Sequence, residues 1–185
     1  MNVIERLMEE HRVIKNTLDV FEAEIAQINE QQQVDLLAIE TSIDFVRTYT
    51  DLVHQGKEDI LFRKLLEKKL AAEPVKVLNE LIAEHKFSRS IISKWMIAAE
   101  GYFDGNDTAQ GVIDCLQELT TFYPRHMAKE DKLFSGSVYA SFTPEEQNDL
   151  FRELEDFELS VLAWKYRKVQ STLKERLDKI GTASV

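Results

Sequence analysis

The nonapeptide His54-Gln-Gly-Lys-Glu-Asp-Ile-Leu-Phe62 returns later in the chain as His126-Met-Ala-Lys-Glu-Asp-Lys-Leu-Phe134, and the predicted fold is organised around this repeat. Six of the nine positions are identical in the two nonapeptides. In a helix, the spacing His-x-x-x-Glu places an imidazole and a carboxylate one turn apart on the same face. Such a pair is either two metal ligands or a surface ion pair, and the rest of the chain decides between these interpretations.

The composition predicts long helices. The chain has 185 residues, of which 44% are hydrophobic, with only 6 Gly and 3 Pro. This length and this apolar fraction suit one domain with a substantial core, and few turn-forming residues leave little room for strands and loops.

Helical periodicity and capping signals predict five helices. Asn2 with Glu5 and Thr143 with Glu146 are capping boxes that begin the first and the last helix. We expect helices over about residues 3–30, 34–72, 74–102, 108–134 and 143–180. The first four predict an all-α, up-down-up-down four-helix bundle over residues 1–137. The amphipathic C-terminal helix, at 143–181, is expected to pack on the bundle or to form a homodimer interface.

Two helix-breaking residues fall inside these helices. Pro124 predicts a kink just before the second nonapeptide. Gly56, inside the first nonapeptide, is interpreted as a tolerated surface glycine without a special backbone role.

Charge and motifs exclude several classes of protein. The formal net charge is −10, so binding to nucleic acid or to an anionic membrane is not expected. The N-terminal sequence lacks a signal-peptide pattern and no run of 18 apolar residues occurs, which predicts a cytoplasmic protein. The single cysteine, Cys115, excludes an intramolecular disulfide and is expected to be a small buried side chain. No phosphate-binding glycine loop, nucleophile elbow or His-Glu-x-x-His motif occurs, so the sequence does not support a nucleotide-binding protein, a hydrolase or a zinc protease.

The four histidines of the chain fall on the inner faces of the first four helices, one on each. His11 fills the gap in the apolar stripe between Leu7 and Ile14, and His85 has a similar place in the third helix. A lone core histidine or an exposed His–Glu pair would be ordinary. Two buried carboxylates within apolar stripes, however, cost several kcal/mol each without a compensating charge. The set of four helices therefore favours a metal site.

The types of ligand limit which metal ions are expected. Imidazole with carboxylate, and without thiolate, suits iron, manganese or zinc. Six protein ligands are too many for one tetrahedral zinc. They suit two ions, each with two histidines, that share two bridging carboxylates and keep open positions for a further ligand.

These motifs resemble the hemerythrin-like (HHE) family of non-haem di-iron proteins over about residues 1–135. The resemblance implies two iron ions with an oxo or hydroxo bridge, for which manganese or zinc are substitutes. Glu58 and Glu130 would be the bridging carboxylates. The implied iron ligands are His11, His54, Glu58, His85, His126 and Glu130.

The chain departs from the oxygen-carrying members in two respects. They have a fifth histidine one turn from the third-helix ligand, where this chain has Leu81 and Arg89. Their last carboxylate is an aspartate five residues after the histidine, whereas Glu130 is four after His126. The pattern is instead similar to bacterial di-iron proteins linked to nitrosative and oxidative stress and to the repair of iron centres.

Residues around the ligands have weaker signals. Asp59 and Asp131 are expected either to accept a ring N–H from a ligand histidine or to be solvated acids. Tyr123 is a proton donor, an extra ligand or a core residue. Arg89 is expected to neutralise a glutamate, to gate access or to be a solvated side chain. Glu10 and Glu84 are interpreted as surface acids.

Three functions follow from these patterns. The first is a di-iron protein that binds or senses a small diatomic ligand, O2 or NO. The second is a di-iron enzyme that reduces peroxide or NO, or a repair protein that donates iron to damaged iron–sulfur centres. The third is an interaction module in which the metal is structural.

Overall fold

The computed structural model describes residues 2–135 and 138–182, with residues 177–182 described through their backbone alone. Helices make up this part of the chain, and it contains no strand. The helices are α1 (Val3–Gln31), α2 (Leu36–Phe45), α3 (Gly56–Leu66), α4 (Ala72–Phe103), α5 (Ala109–Phe134) and α6 (Pro144–Thr182). A π-helical segment, Val46–Gln55, joins α2 to α3 without a break, and a 3₁₀ turn, Tyr139–Ser141, precedes α6.

Both predicted capping boxes are present. The Asn2 side chain accepts from the Glu5 amide at 3.0 Å, and the Glu5 carboxylate accepts from the Asn2 amide at 2.8 Å. Thr143 and Glu146 make the equivalent pair of bonds at 3.2 and 2.9 Å. These side chains satisfy amide groups that have no partner within the helix, and so fix where α1 and α6 begin.

The second bundle helix differs from its prediction. A single α-helix was expected over residues 34–72, but the helical run from α2 through α3 ends at Leu66 and its middle is π-helical. Helix α4 begins at Ala72, so Pro74 occupies its third position rather than its first. A proline is tolerated there because the first four N–H groups of a helix have no intrahelical acceptor.

The bundle has the predicted all-α architecture. Helix α1, the α2–α3 run, α4 and α5 are joined by short turns and pack side by side, with α6 as an additional C-terminal helix. Pro124 lies inside α5. The predicted boundary of the bundle at residue 137 lies outside the described residues.

The apolar core consists of two clusters with a polar layer between them. One cluster includes Phe21, Trp95 and Leu119. The other includes Leu7, Leu61 and Leu81 and the first part of α6. Buried histidine and glutamate side chains separate the two clusters. Each large apolar side chain buried in this way contributes about 1.5–3 kcal/mol to the free energy of unfolding. The polar layer is therefore held between two stable apolar clusters.

Among the residues whose side chains are described, helix α6 buries apolar side chains in the bundle through its first half. Leu150 and Leu154 are buried in the second cluster. Farther along, Trp164 is 52% exposed and Leu173 is 59% exposed. The second half of α6 still contacts the bundle through Lys165, which lies 2.6 Å from Asp44 and 2.9 Å from Thr48.

Gly56 has a packing role, contrary to its prediction as a tolerated surface residue. A Cβ atom built on Gly56 would lie 2.6 Å from Cζ of Phe157 in α6. The backbone angles of Gly56 are ordinary for a helix, so the glycine is required by this close approach and not by its conformation. This contact could not be predicted from the sequence because it depends on where α6 docks.

Within the described residues, no helix combines the length and the hydropathy needed to cross a bilayer. Cys115 is buried at 7% exposure in the first apolar cluster, as expected.

Candidate metal centre

The two nonapeptides bring each histidine against the glutamate one turn later. His54 lies in the last turn of the π-helical segment and Glu58 lies in the first turn of α3, with 3.3 Å between Nε2 and Oε1. On α5, His126 Nε2 lies 3.1 Å from Glu130 Oε1. Both carboxylates are fully buried. The contacts therefore lie inside the bundle and not on its surface.

The histidines of α1 and α4 complete the cluster. His11 Nε2 lies 3.4 Å from Glu58 and 3.3 Å from Glu130. His85 Nε2 lies 3.3 Å from Glu58 and 3.6 Å from Glu130. Both carboxylates thus contact histidines of different helices, which is the arrangement expected of bridging ligands.

The six side chains form two overlapping groups, in each of which four candidate ligand atoms lie within 4.8 Å of one another. One group contains His11 and His54, and the other contains His85 and His126. Glu58 and Glu130 belong to both. The paired imidazoles also meet edge to face, at 4.9 Å for the first pair and 5.1 Å for the second. The structure therefore brings together all six residues that the sequence selected.

The spacing of these atoms fits metal coordination. Two donor atoms that each lie about 2.0–2.2 Å from one ion, at right angles or slightly wider, are roughly 3.0–3.5 Å apart. The imidazole–carboxylate distances above span nearly this range. In the described part of the chain, three Nε2 atoms and four carboxylate oxygens of the cluster have no hydrogen-bond partner. These atoms belong to His11, His85, His126, Glu58 and Glu130. Buried polar atoms without partners are rare and costly, and a cation would satisfy all of them.

A carboxylate lies against the outer nitrogen of every histidine. Asp131 is 2.8 Å from Nδ1 of His11, and Asp59 is 2.7 Å from Nδ1 of His85. An ionised carboxylate only accepts hydrogen bonds, so these contacts place the ring proton on Nδ1. Nε2 is then left with a lone pair that points into the core, as a metal ligand requires.

The other two acceptors are Glu10 and Glu84, which were expected to be surface acids. Glu10 is 8% exposed and lies 2.9 Å from Nδ1 of His54. Glu84 lies 2.9 Å from Nδ1 of His126. The sequence did contain a signal, because a Glu-His pair occurs both at residues 10–11 and at residues 84–85. Each glutamate serves the histidine of the neighbouring helix, not the one beside it in sequence.

Electrostatics within the cluster shift the pKa values of its members strongly. Burial raises the pKa of Glu58, but the charge of His54 and the close approach of the surrounding imidazoles outweigh it and hold this pKa well below its usual value. Burial opposes protonation of His11, yet the close carboxylates of Glu130 and Glu58 raise its pKa to about 11. Without a metal ion, protons on the imidazoles therefore supply the positive charge that the two carboxylates need.

Arg89 does not contact the candidate ligands. Its guanidinium lies 2.6 Å from Asp51 and 3.0 Å from Asp59. Because Asp59 also accepts from Nδ1 of His85, Arg89 orients the His85 imidazole indirectly, through Asp59.

A small group of buried polar side chains accompanies the cluster. Gln55 and Ser88 hydrogen-bond to each other at 3.1 Å. The Tyr123 hydroxyl and the Thr50 hydroxyl have no hydrogen-bond partner in the described part of the chain, although both residues are almost fully buried. Burial raises the pKa of Tyr123 by more than the neighbouring Ser88 side chain lowers it, and the negative charges of Asp51, Glu58 and Glu130 add to the rise. The phenol is thus protonated near the carboxylates.

A helical bundle whose core holds two overlapping histidine–glutamate groups defines a cation-binding bundle protein. Residues 2–136 match the hemerythrin HHE cation binding domain. The chain belongs to this family, and it is a metal-binding protein. No curated protein and no solved structure matches the chain significantly.

Proposed function

We propose that this chain is a non-haem di-iron protein whose core binds a small diatomic ligand, O2 or NO. The observation that supports the proposal most directly is the sharing of Glu58 and Glu130 by two groups of candidate ligands. Two ions held by a common pair of carboxylates account for every unpartnered Nε2 and carboxylate oxygen in the cluster.

The donor set supports iron. Imidazole and carboxylate ligands without thiolate suit iron and manganese. A structural zinc site has four protein ligands and no open position, whereas this cluster offers six ligands for two ions that each keep an open position. In this proposal, His11 and His54 hold one ion, and His85 and His126 hold the other. A bound iron pair would supply redox-active positions at which a diatomic ligand coordinates.

The residues one turn from His85, where oxygen carriers have a fifth histidine, support a role other than simple oxygen carriage. Leu81 is fully buried in the apolar cluster, and the side chain of Arg89 is paired with two aspartates. Neither residue can serve as an ordinary ligand. The second ion therefore has no additional imidazole from α4, which leaves room for an exogenous ligand.

A surface groove lies beside the second half of the centre. It has a volume of about 510 Å³ and is lined by Phe87, Phe122, Glu84 and His126, among others. Phe122 stacks on the His126 ring at 5.1 Å. In this proposal, a small neutral molecule approaches the centre along the groove.

The alternative function is a di-iron enzyme or repair protein of oxidative or nitrosative stress. Its support is the buried Tyr123 hydroxyl, which has no partner among the described residues. Reduction of peroxide or NO consumes protons, and a buried, protonated phenol beside the carboxylates is a suitable donor.

Iron loading followed by exposure to O2 and NO tests the proposal. We expect an oxo- or hydroxo-bridged di-iron absorption spectrum that changes with either gas, and loss of both features in a Glu58→Ala variant. Protein that takes up iron but gives no spectral change with either gas would contradict the ligand-binding function. Sustained consumption of NO or peroxide over many turnovers would favour the enzymatic alternative.

A further inference from the structure

The two nonapeptides use their lysines in the same way. Lys57 pairs with Glu10, and Lys129 pairs with Glu84. Each of these glutamates also accepts from the histidine of the same nonapeptide, His54 or His126. The bundle therefore contains the chain of contacts histidine–glutamate–lysine twice, once in each half of the candidate metal centre.

The surroundings of the two lysines differ. The Lys129 side chain is 31% exposed, and its other partner is Glu80, at 3.3 Å, which lies on the same helix as Glu84. The Lys57 side chain is 1% exposed, and its other partner is Glu158 of α6, at 2.8 Å. Of the two chains of contacts, only the one through Lys57 therefore extends to the C-terminal helix.

Further contacts hold Glu158 in place. Arg6 of α1 lies 2.8 Å from Glu158 and 2.6 Å from Glu155. The preceding residue, Phe157, packs directly on Gly56, one residue before Lys57. Helix α6 thus contacts two adjacent residues of α3, Gly56 through Phe157 and Lys57 through Glu158.

Burial makes this arrangement sensitive to the loss of one charge. A lysine ammonium removed from water is strongly disfavoured unless nearby carboxylates compensate it. With Glu158 absent, Lys57 would keep only Glu10 and would move toward solvent. Glu10 would follow Lys57 or keep only the longer contact with Arg6, at 3.6 Å, and the orientation of His54 would be less restrained.

We propose that Glu158 is a positioning residue for the metal centre, which acts on His54 through Lys57 and Glu10 and links metal binding to the docking of α6. This inference rests on the proposed metal centre. Because such a linkage is reciprocal, a metal ion at His54 strengthens the docking of α6, and docked α6 slows the loss of the ion.

Glu158→Gln tests the first direction, because it removes the charge and keeps the size of the side chain. The full chain is loaded with Co²⁺, and its release to a chelator is followed through the ligand-field absorption bands. An outer partner of a metal-bound histidine typically changes metal affinity about 10–100-fold, so we expect release of one Co²⁺ to be about fivefold faster for this more distant residue. The bands, which report coordination geometry, should shift as well.

Two matched variants serve as controls. Glu153→Gln alters the same helix at a residue that pairs with Lys64 at 2.8 Å, outside the chain of contacts to His54. Glu80→Gln removes the corresponding second partner of Lys129. Both should release Co²⁺ at the wild-type rate and keep the wild-type bands.

Hydrogen exchange of the unaltered chain tests the reverse direction and does not depend on whether the variants fold. Co²⁺ should slow amide exchange in residues 150–160 of α6 and leave residues 170–176 unchanged. If the chain binds two Co²⁺ but Glu158→Gln releases them at the wild-type rate and exchange in α6 is unaffected, the linkage is wrong and the metal centre stands. If the chain binds no Co²⁺, both proposals fail.

Discussion

His126 and Glu84 are joined by a 2.9 Å contact between the imidazole Nδ1 and a carboxylate oxygen, and the same contact, also 2.9 Å, joins His54 to Glu10. These two pairs, with Asp131 at His11 and Asp59 at His85, give every histidine of the cluster an acidic partner. Such partners fix the tautomer and the direction of a metal-binding imidazole.

Removal of one outer carboxylate should therefore weaken metal binding without removing a ligand. We expect Glu84→Ala to lower the affinity for Co²⁺ about 10–100-fold, because the His126 ring loses its orienting acceptor. Competition with a chromophoric chelator measures this affinity. Glu80→Ala, one turn away on the same helix, is the control and should bind as the wild type does. Equal affinities in the two variants would show that Glu84 has no part in the site.

Metal removal should lower the thermal stability of the bundle. An ion that binds only the folded chain, at about 1,000 times its Kd, adds about 4 kcal/mol, which is roughly 8–16 °C in Tm for a chain of this size. Thermal melts with and without chelator measure the shift. The double variant Glu58→Ala/Glu130→Ala should show no shift, and a wild-type Tm that ignores the chelator would argue against a metal in the core.

Tyr123→Phe separates a functional role of the phenol from a structural one. The hydroxyl has no hydrogen-bond partner in the described residues, so its removal should leave the Tm unchanged or slightly higher. If the phenol donates a proton, reduction of NO or peroxide should slow by about 100-fold or more. Tyr49→Phe, on the π-helical segment, is the control. A variant that melts several degrees lower and reacts at the wild-type rate would identify Tyr123 as a packing residue.

Gly56 and Phe157 should show strong coupling in a double-mutant cycle. Gly56→Ala gains about 1 kcal/mol in helix propensity, but its Cβ would meet the Phe157 ring at 2.6 Å, and overpacking of this kind costs about 1–3 kcal/mol. We expect Gly56→Ala to be destabilising in the wild type and stabilising in a Phe157→Ala background. Chemical denaturation measures both effects, and additive free energies of unfolding would mean that the ring simply moves aside.

The sequence predicted the bundle and the convergence of the six cluster residues because both depend on the helical period. His11 and His85 fall in gaps of apolar stripes, and the two nonapeptides repeat one spacing, so inner faces could be assigned from the sequence. The repeated spacing also indicated Asp59 and Asp131 as candidate acceptors of a ring N–H from a ligand histidine.

Other features depend on how the helices are rotated and where they dock. Glu10 and Glu84 sit next to inward histidines, at the edge of the helix face, and only the neighbouring helix decides whether such a residue is buried. The π-helical segment that ends at Gln55 leaves no distinct periodic pattern in a short stretch. The burial of Lys57 and the contact at Gly56 arise from α6, whose docking position no sequence motif specified.

Iron content per chain, measured together with the absorption spectrum, decides whether the bundle holds a di-iron centre. We expect two iron ions per chain, a spectrum of an oxo- or hydroxo-bridged pair, and loss of the paired centre in Glu58→Ala and in Glu130→Ala. Wild-type protein that binds one ion or none when supplied with iron in excess would contradict this expectation.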